Sequence, residues 1–201
     1  MTNTTIETYT FAQFRACLEA ALVCTAKDPT RAHITNIEVN EAHMHATDGH
    51  RLLRVGRFEI DPAKQTKPRH RRPRIYIPRA DAEWFLKAYS AKTAGDFPGL
   101  VTITNGAVAY NGEVLRKWKP VDVDFPLVDQ VIPATQKNAP PCPTIGLCVK
   151  YLADMGKIGK SIDVTDAVLL GNRVESNLAP VCWYMQGDDL AALYVLMPVR
   201  I

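Results

Sequence analysis

The sequence predicts an α+β protein built from repeated strand–helix–strand units with antiparallel sheets. Helical periodicity occurs three times, each time followed by runs of strand character. Asp-Gly and Asn-Gly pairs punctuate those runs, as tight antiparallel connections require. The three segments open near residues 8, 75 and 144, a period of about 65 residues, which marks duplicated units.

In the first segment Thr10 is placed to cap a helix, with Gln13 as its capping-box partner. Phe11, Phe14, Leu18 and Leu22 follow at helical spacing. The helix must end before Asp28-Pro29, because proline disfavours helical geometry in the residue before it. Strands are expected over His33–Asn40, His43–Thr47 and His50–Ile60, with Asp48-Gly49 as a tight hairpin turn whose two central residues both take positive φ. The second segment opens with a strand at Arg74–Ile77. Pro78 suits the start of a helix over Ala80–Ala91. Leu100–Asn105, Ala107–Tyr110 and Val114–Trp118 then form a meander joined at Asn105-Gly106 and Asn111-Gly112. The third segment carries a helix over Leu147–Met155 and strands over Ser161–Leu170, Pro180–Gln186 and Ala192–Ile201.

Two linkers separate the segments. Lys64–Arg74 holds six lysines and arginines and no acid, within a basic linker taken as 61–74. It can contact phosphates if it lies beside DNA, or simply form a solvated loop. Ala134–Pro143 has three prolines and is extended and stiff. A boundary there divides the chain into residues 1–133, two units, and residues 134–201, one unit.

Composition narrows the classes. Of 201 residues 47% are hydrophobic, too many for a disordered chain, and a net charge of +3 implies no particular partner. No apolar run approaches the roughly 20 residues that a membrane helix needs. The polar N-terminus lacks a secretory pattern, so a cytoplasmic protein is expected. Five cysteines, an odd number without metal-type pairing, read as reduced thiols, with Cys17 and Cys24 in a helical core.

Catalytic chemistry finds little footing. His43 and His45 would share a strand face, as metal ligation requires, but no cysteine or carboxylate completes a set at ligand spacing. Asp48 and His50 could form an acid–base pair, yet no nucleophile motif accompanies them. Gly-rich phosphate loops are absent, and Lys157-Ile158-Gly159-Lys160 ends a helix instead of opening one. No cofactor or metal is expected. The C-terminus is unusual because it stays apolar to its end, and Met-Pro-Val-Arg-Ile continues past a plausible strand end as a segment able to line a groove.

Three stretches together resemble the bacterial DNA polymerase sliding clamp, the β subunit of the replicative polymerase. Ala46-Thr47-Asp48-Gly49-His50-Arg51-Leu52 looks like the signature of its middle domain. Phe125-Pro126 through Val131-Ile132-Pro133 resembles the stretch that closes that domain. Val195–Ile201 is similar to the family's C-terminal strand, and Asp28-Pro29-Thr30-Arg31 and Ile75–Arg79 sit where it has comparable stretches. The resemblance implies a clamp-like fold, with residues 8–133 as one complete domain and residues 144–201 as the second half of another.

It also implies a non-enzymatic replication factor that binds short peptides of polymerases and related proteins. The implied pocket comprises Ile34, Thr47, Gly49, His50, Arg51, Leu52, Pro126, Val131, Val195, Met197, Pro198, Val199, Arg200 and Ile201. Gly49 would admit a close backbone, and His50, Arg51 and Arg200 would supply a polar rim. Leu127-Val128-Asp129-Gln130 departs from the family, which usually has Asp-Tyr-Arg-Arg there.

Double-stranded DNA is a further implied partner, through Arg15, Lys27, Arg79, Lys87, Lys92, Lys150, Lys157 and Lys160, with Arg69, Arg71 and Arg72 of the linker. A ring of this fold uses twelve half-units, which four copies of a three-unit chain would supply, so a homo-oligomer around DNA is one expectation. The alternatives are a non-ring module that captures clamp-binding proteins and an enzyme built on Asp48 and the histidines.

Overall fold

The computed structural model describes residues 5–58, 74–132, 145–170 and 179–199. After a short strand β1 (Thr5–Ile6), helix α1 (Phe11–Cys24) begins at the expected cap. The Thr10 N–H donates to Gln13 Oε1 at 3.1 Å, and the Gln13 N–H donates to Thr10 Oγ1 at 3.2 Å. This reciprocal pair satisfies two of the donors that a helix start leaves open. At the other end the Thr25 hydroxyl donates to the Ala21 carbonyl at 2.8 Å.

Strands β2 (Asn36–Val39), β3 (His43–Thr47), β4 (Arg51–Gly56) and β5 (Ile75–Pro78) come next. Helix α2 (Arg79–Ala88) leads to β6 (Val101–Thr104), β7 (Ala107–Tyr110) and β8 (Glu113–Lys117). Helix α3 (Val149–Ser161) precedes β9 (Val168–Leu170), β10 (Val181–Gln186) and β11 (Ala191–Leu196). All strand pairs among these are antiparallel.

Several boundaries differ from expectation. Residues 32–34 form a single 3-10 turn instead of the start of a strand, so β2 opens at Asn36. Asn111 and Gly112 both take positive φ (50° and 80°), the two-residue turn expected there. The Asp48-Gly49 connection is different. Thr47 pairs with Leu52, leaving four residues between, and only Gly49 has positive φ. Helix α2 ends at Ala88, where Tyr89 turns to extended geometry.

Helix α3 runs six residues beyond Met155. Ile158 is fully buried and Gly159 packs against the chain beyond the helix, where a Cβ would fall 2.5 Å from the Val164 carbonyl. Asp163 takes φ 57°, and the Val164 N–H closes on the Gly159 carbonyl at 2.8 Å, a left-handed helix stop. That stop uses up residues expected in a strand, so β9 spans only Val168–Leu170.

The strands form two sheets, one ordered β1-β6-β7-β8 and one ordered β5-β2-β3-β4-β11-β10-β9. The larger sheet joins strands of the first and third segments, with β5 of the second segment at its edge. β4 and β11 pair without interruption from Arg51↔Leu196 to Gly56↔Ala191, so the sheet is continuous across the two parts of the chain. The expected boundary between residues 133 and 134 lies outside the described residues.

Helix α1 packs on β2, β3 and β4 with α2 and α3 against its flanks. That setting explains why Phe11, Phe14, Cys17, Leu18, Ala20, Ala21 and Cys24 are all buried, a wider apolar surface than a one-sided helix needs. Cys17 and Cys24 are free thiols pushed up by burial, as inert core groups. Phe11 stacks on Phe97 at 4.3 Å and meets Phe85, Tyr89 and Tyr110. The opposite face of the large sheet is covered by the segment around Phe125 and Val128, which packs with Leu52, Cys182, Leu193 and Val195. Among the described residues no helix is long and apolar enough to cross a membrane.

The capping pair makes a simple test. Thr10→Ala should cost about 1 kcal/mol in urea unfolding while Thr10→Ser costs much less. Equal stability of Thr10→Ala and the native chain would show that the cap contributes nothing.

Candidate functional site

The site begins with the connection between β3 and β4. The Thr47 hydroxyl donates to the Arg51 carbonyl at 2.7 Å and accepts from the Gly49 N–H at 3.1 Å. Asp48 Oδ1 accepts from the His50 and Arg51 N–H groups at 3.0 and 3.2 Å. Both side chains are thereby used to hold the turn. Asp48 and His50 are not arranged as an acid–base pair, because the Asp48 carboxylate is committed to backbone and to Arg51.

The Arg51 guanidinium is committed to partners within the protein. Its Nε donates to Asp48 Oδ2 at 3.0 Å, its Nη2 to the Val23 carbonyl at 2.5 Å, and its Nη1 forms a short ion pair with Asp154 of α3. The guanidinium also lies 4.6 Å from the Tyr151 ring centre. His50 stacks on the same ring at 6.0 Å, so its side chain belongs to the α3 side of the turn. Burial alone would raise the Asp154 carboxyl, but hydrogen bonds from Lys157 and Arg51 outweigh it and hold the pKa below the ordinary value.

The C-terminal segment meets this turn through main-chain bonds. Val195 pairs with Leu52 and Leu196 with Arg51. The Met197 N–H donates to the His50 carbonyl at 2.9 Å, and the Val199 N–H to the Gly146 carbonyl at 2.9 Å. The third side is the segment after Phe125, where Val128–Gln130 makes a short 3-10 turn. A polar row across the sheet holds it. Arg54 pairs with Asp129 and donates through Nε to His45 Nε2 at 2.9 Å. His45 Nδ1, which therefore carries the proton, donates to Glu38 at 2.9 Å. Burial first, and then the charge of Arg54, push the His45 pKa well down, so the ring is neutral. His43 lies 4.5 Å from His45, ring centre to ring centre, yet no group of three metal-capable side chains occurs among the described residues.

These three segments enclose a cavity of about 260 Å³. Ile34, Thr47, Gly49, Arg51, Leu52, Pro126, Val131, Val195 and Met197 line it, as does a set not singled out from sequence: Arg31, His33 and Val128. His50, Pro198 and Val199 are not part of the lining, and Arg200 and Ile201 lie outside the described residues. The missed residues had a local signal. Arg31 and Ile34 are three apart in a 3-10 turn closed by the Ile34 N–H on the Arg31 carbonyl at 2.9 Å, and such residues share a side. Gly49, expected to admit a backbone, admits Arg31 instead. Its φ is 89°, and a Cβ there would fall 2.6 Å from Arg31 Nη2.

A second cavity, of about 340 Å³, lies beside α3 and is lined by Leu152, Met155, Val164 and Met185 among others. It contains none of the expected site residues.

The expected DNA-contact residues divide. Arg15 donates to the Tyr89 carbonyl at 2.9 Å and pairs with Glu19 at 2.7 Å, which ties α1 to the end of α2. Arg79 donates to the Leu22 and Thr25 carbonyls at 3.1 and 2.7 Å and pairs with Glu83 at 2.8 Å. Both are partly buried and held by main-chain carbonyls and a glutamate. Lys27, Lys87, Lys92, Lys150, Lys157 and Lys160 are exposed, with Lys157 also on Asp154 at 2.5 Å. Arg69, Arg71 and Arg72, like most of the basic linker, lie outside the described residues.

No family model and no curated protein matches the chain. Solved structures of DNA polymerase III β sliding clamps do match its fold. The clamp of Bartonella birtlesii bound to griselimycin is 18% identical with a TM-score of 0.63, covering 99% of this chain and 66% of its own. The β subunit of Pseudomonas aeruginosa is 17% identical with a TM-score of 0.64, covering 100% and 67%. That of Thermotoga maritima is 14% identical with a TM-score of 0.65, covering 98% and 65%. The chain thus has the sliding-clamp fold and spans about two thirds of the length of those chains.

Because the Asp154 pKa is lowered on folding, its contribution is fully present above the unfolded value of about 3.9 and is lost as pH falls through the lower folded value. Asp154→Asn should therefore reduce the unfolding free energy in urea at neutral pH by on the order of 1–3 kcal/mol, and flatten its decline below about pH 4. An acid limb as steep as that of the native chain would contradict the Arg51–Asp154 assignment.

Proposed function

We propose that this chain is a shortened, sliding-clamp-like processivity factor of DNA replication, and that the cavity bounded by residues 47–52, 126–131 and 195–197 binds clamp-binding peptides of polymerases and related proteins. One observation carries the reading. Two segments more than 140 residues apart in the chain, residues 47–52 and 195–197, are joined by β4–β11 pairing and line a single cavity, and the clamp resemblance implies a peptide pocket of these residues. The chemistry suits that role. Leu52, Val195 and Val128 form a buried apolar floor, while Met197 and Val131 are 37% exposed at the mouth. Met and aliphatic side chains adapt to varied apolar partners.

The proposal includes association of several copies around double-stranded DNA, with the exposed lysines of the three helices toward the phosphates. The internal use of Arg15 and Arg79 favours a second reading, in which the pocket is kept without a ring and captures clamp-binding proteins. Light scattering separates the two: a defined oligomer retained on circular DNA supports the ring, and a monomer that slides off supports the module. The enzyme alternative loses its basis, because Asp48 is spent on the turn and on Arg51.

The peptide reading is tested by fluorescence polarisation with a labelled clamp-binding peptide of a polymerase. Met197→Asp should weaken binding at least about tenfold without changing the urea midpoint. Val149→Asp, at a 77% exposed position on α3, should leave it unchanged. No binding by the native chain, or equal binding by Met197→Asp, would overturn the reading.

A further inference from the structure

We infer that the third unit is completed by a second copy of this chain, each copy laying residues 145–147 against the open edge of the other's β9. The first two units show the pattern. Each is a helix followed by three strands, and each lends the strand before its helix to the other. β1, before α1, pairs with β6, the first strand after α2. β5, before α2, pairs with β2, the first strand after α1. Both exchanged strands bury isoleucines, Ile6 in one and Ile75 and Ile77 in the other.

The third unit has the same order, α3 and then β9, β10 and β11. Among the described residues no strand covers the outer edge of β9, the last strand of its sheet. Burial records the difference. Leu169 pairs with Trp183, which packs on the core, and cross-strand partners share a face, so Leu169 lies on the core side. Ile37 and Val39 of β2 and Val101 and Ile103 of β6, on the core side of their own units, are all 0% exposed, whereas Leu169 is 44% exposed. The cavity of about 340 Å³ opens at this edge, between Leu152 and Met155 of α3, Met185 of β10 and residues 164–167 leading into β9.

The donor is equally unused. Ile145-Gly146-Leu147-Cys148 stands before α3 as Ile75-Tyr76-Ile77-Pro78, strand β5, stands before α2, with aliphatic side chains at the same two places. The Tyr76 carbonyl accepts from the Trp118 indole at 3.1 Å, just past the last strand of its unit. Gly146, at the matching place, accepts through its carbonyl from the Val199 N–H at 2.9 Å, likewise past the last strand. Neighbouring residues of a strand direct their main-chain groups to opposite edges, so those of Ile145 and Leu147 are turned away from Val199. Neither makes a main-chain hydrogen bond among the described residues. An open edge and an unpaired strand in one unit are complementary, and two copies related by a two-fold axis satisfy both at once. Main-chain bonds hold the added strand, and Ile145 and Leu147 enter the cavity beside α3 of the other copy. The contact is independent of the peptide cavity and supplies one of the interfaces that association around DNA needs.

Sedimentation of the full chain over a wide range of concentration should show a reversible dimer, or a larger even-numbered assembly built from it. Leu169→Lys and Ile145→Asp, both at positions at least partly open to solvent, should each weaken the dimer contact at least about tenfold. Urea unfolding at concentrations where the native chain is monomeric should be the same for both variants and the native chain. An equimolar mixture of the two variants should associate more tightly than either alone, because a mixed pair keeps one unaltered joint. A native chain that stays monomeric throughout overturns the inference, whether or not it binds peptide. Association untouched by both variants would place the contact elsewhere and overturn it, with association around DNA left standing. Sensitivity to Leu169→Lys but not to Ile145→Asp would give β9 a different strand, and a mixture no tighter than its components would contradict the reciprocal exchange.

Discussion

The buried guanidinium of Arg51 is the point on which this fold turns. One side chain reaches Asp48 in the β3–β4 turn, the Val23 carbonyl at the end of α1, and Asp154 of α3, while its flat face lies on Tyr151. Taking a charge out of water is costly unless it is matched, and here two cations, Arg51 and Lys157, meet two carboxylates, Asp48 and Asp154. The Val23 carbonyl adds a main-chain acceptor at the negative end of a helix. Because each partner comes from a different part of the chain, matching the charge requires all three to be in place. The third segment is thus docked on the first by electrostatics as well as by strand pairing.

The consequence for the site is geometric. A turn held by Thr47 and Asp48 presents Gly49, and the main-chain bond from Met197 to His50 sets the C-terminal segment beside it. On the other side the row Glu38–His45–Arg54–Asp129 ties the wall after Phe125 to the sheet. Glu38, His45 and Arg54 sit directly opposite one another on β2, β3 and β4, as cross-strand neighbours do. The Leu127-Val128-Asp129-Gln130 stretch, which departs from the clamp pattern, is therefore supplied with its own anchor. Polar groups build the walls of this cavity, while aliphatic groups make its floor.

Much of this was legible in the sequence, and the failures share a cause. Local rules located the Thr10–Gln13 cap, strand β3 to the residue, and the Asn111-Gly112 turn, because each depends on neighbours in the chain. The Asp48-Gly49 connection has four residues instead of two because Arg51 is drawn into the interior, a tertiary demand that no local rule carries. The same kind of demand commits Arg51 to Asp48 and Asp154 although it still lines the cavity, and ties the partly buried Arg15 and Arg79 to main-chain carbonyls. Helix α3 outran its expected end because Gly159, unfavourable in an isolated helix, is what its close approach to Val164 requires. Arg31 was noticed only as part of a familiar stretch. What puts it in the cavity wall, the Asp48 carbonyl and the space that Gly49 leaves, comes from a later turn of the chain.

The central claim is that β4 and β11, neighbours in one continuous sheet though far apart in the chain, bring together the walls of a binding cavity. Amide hydrogen exchange of the full chain, with and without saturating clamp-binding peptide, tests this most directly. The account predicts slowed exchange confined to residues 31–34, 47–52, 126–131 and 195–197, with α3 and the small sheet unaffected. Slowed exchange around the cavity beside α3 instead, with none at those four segments, would contradict it.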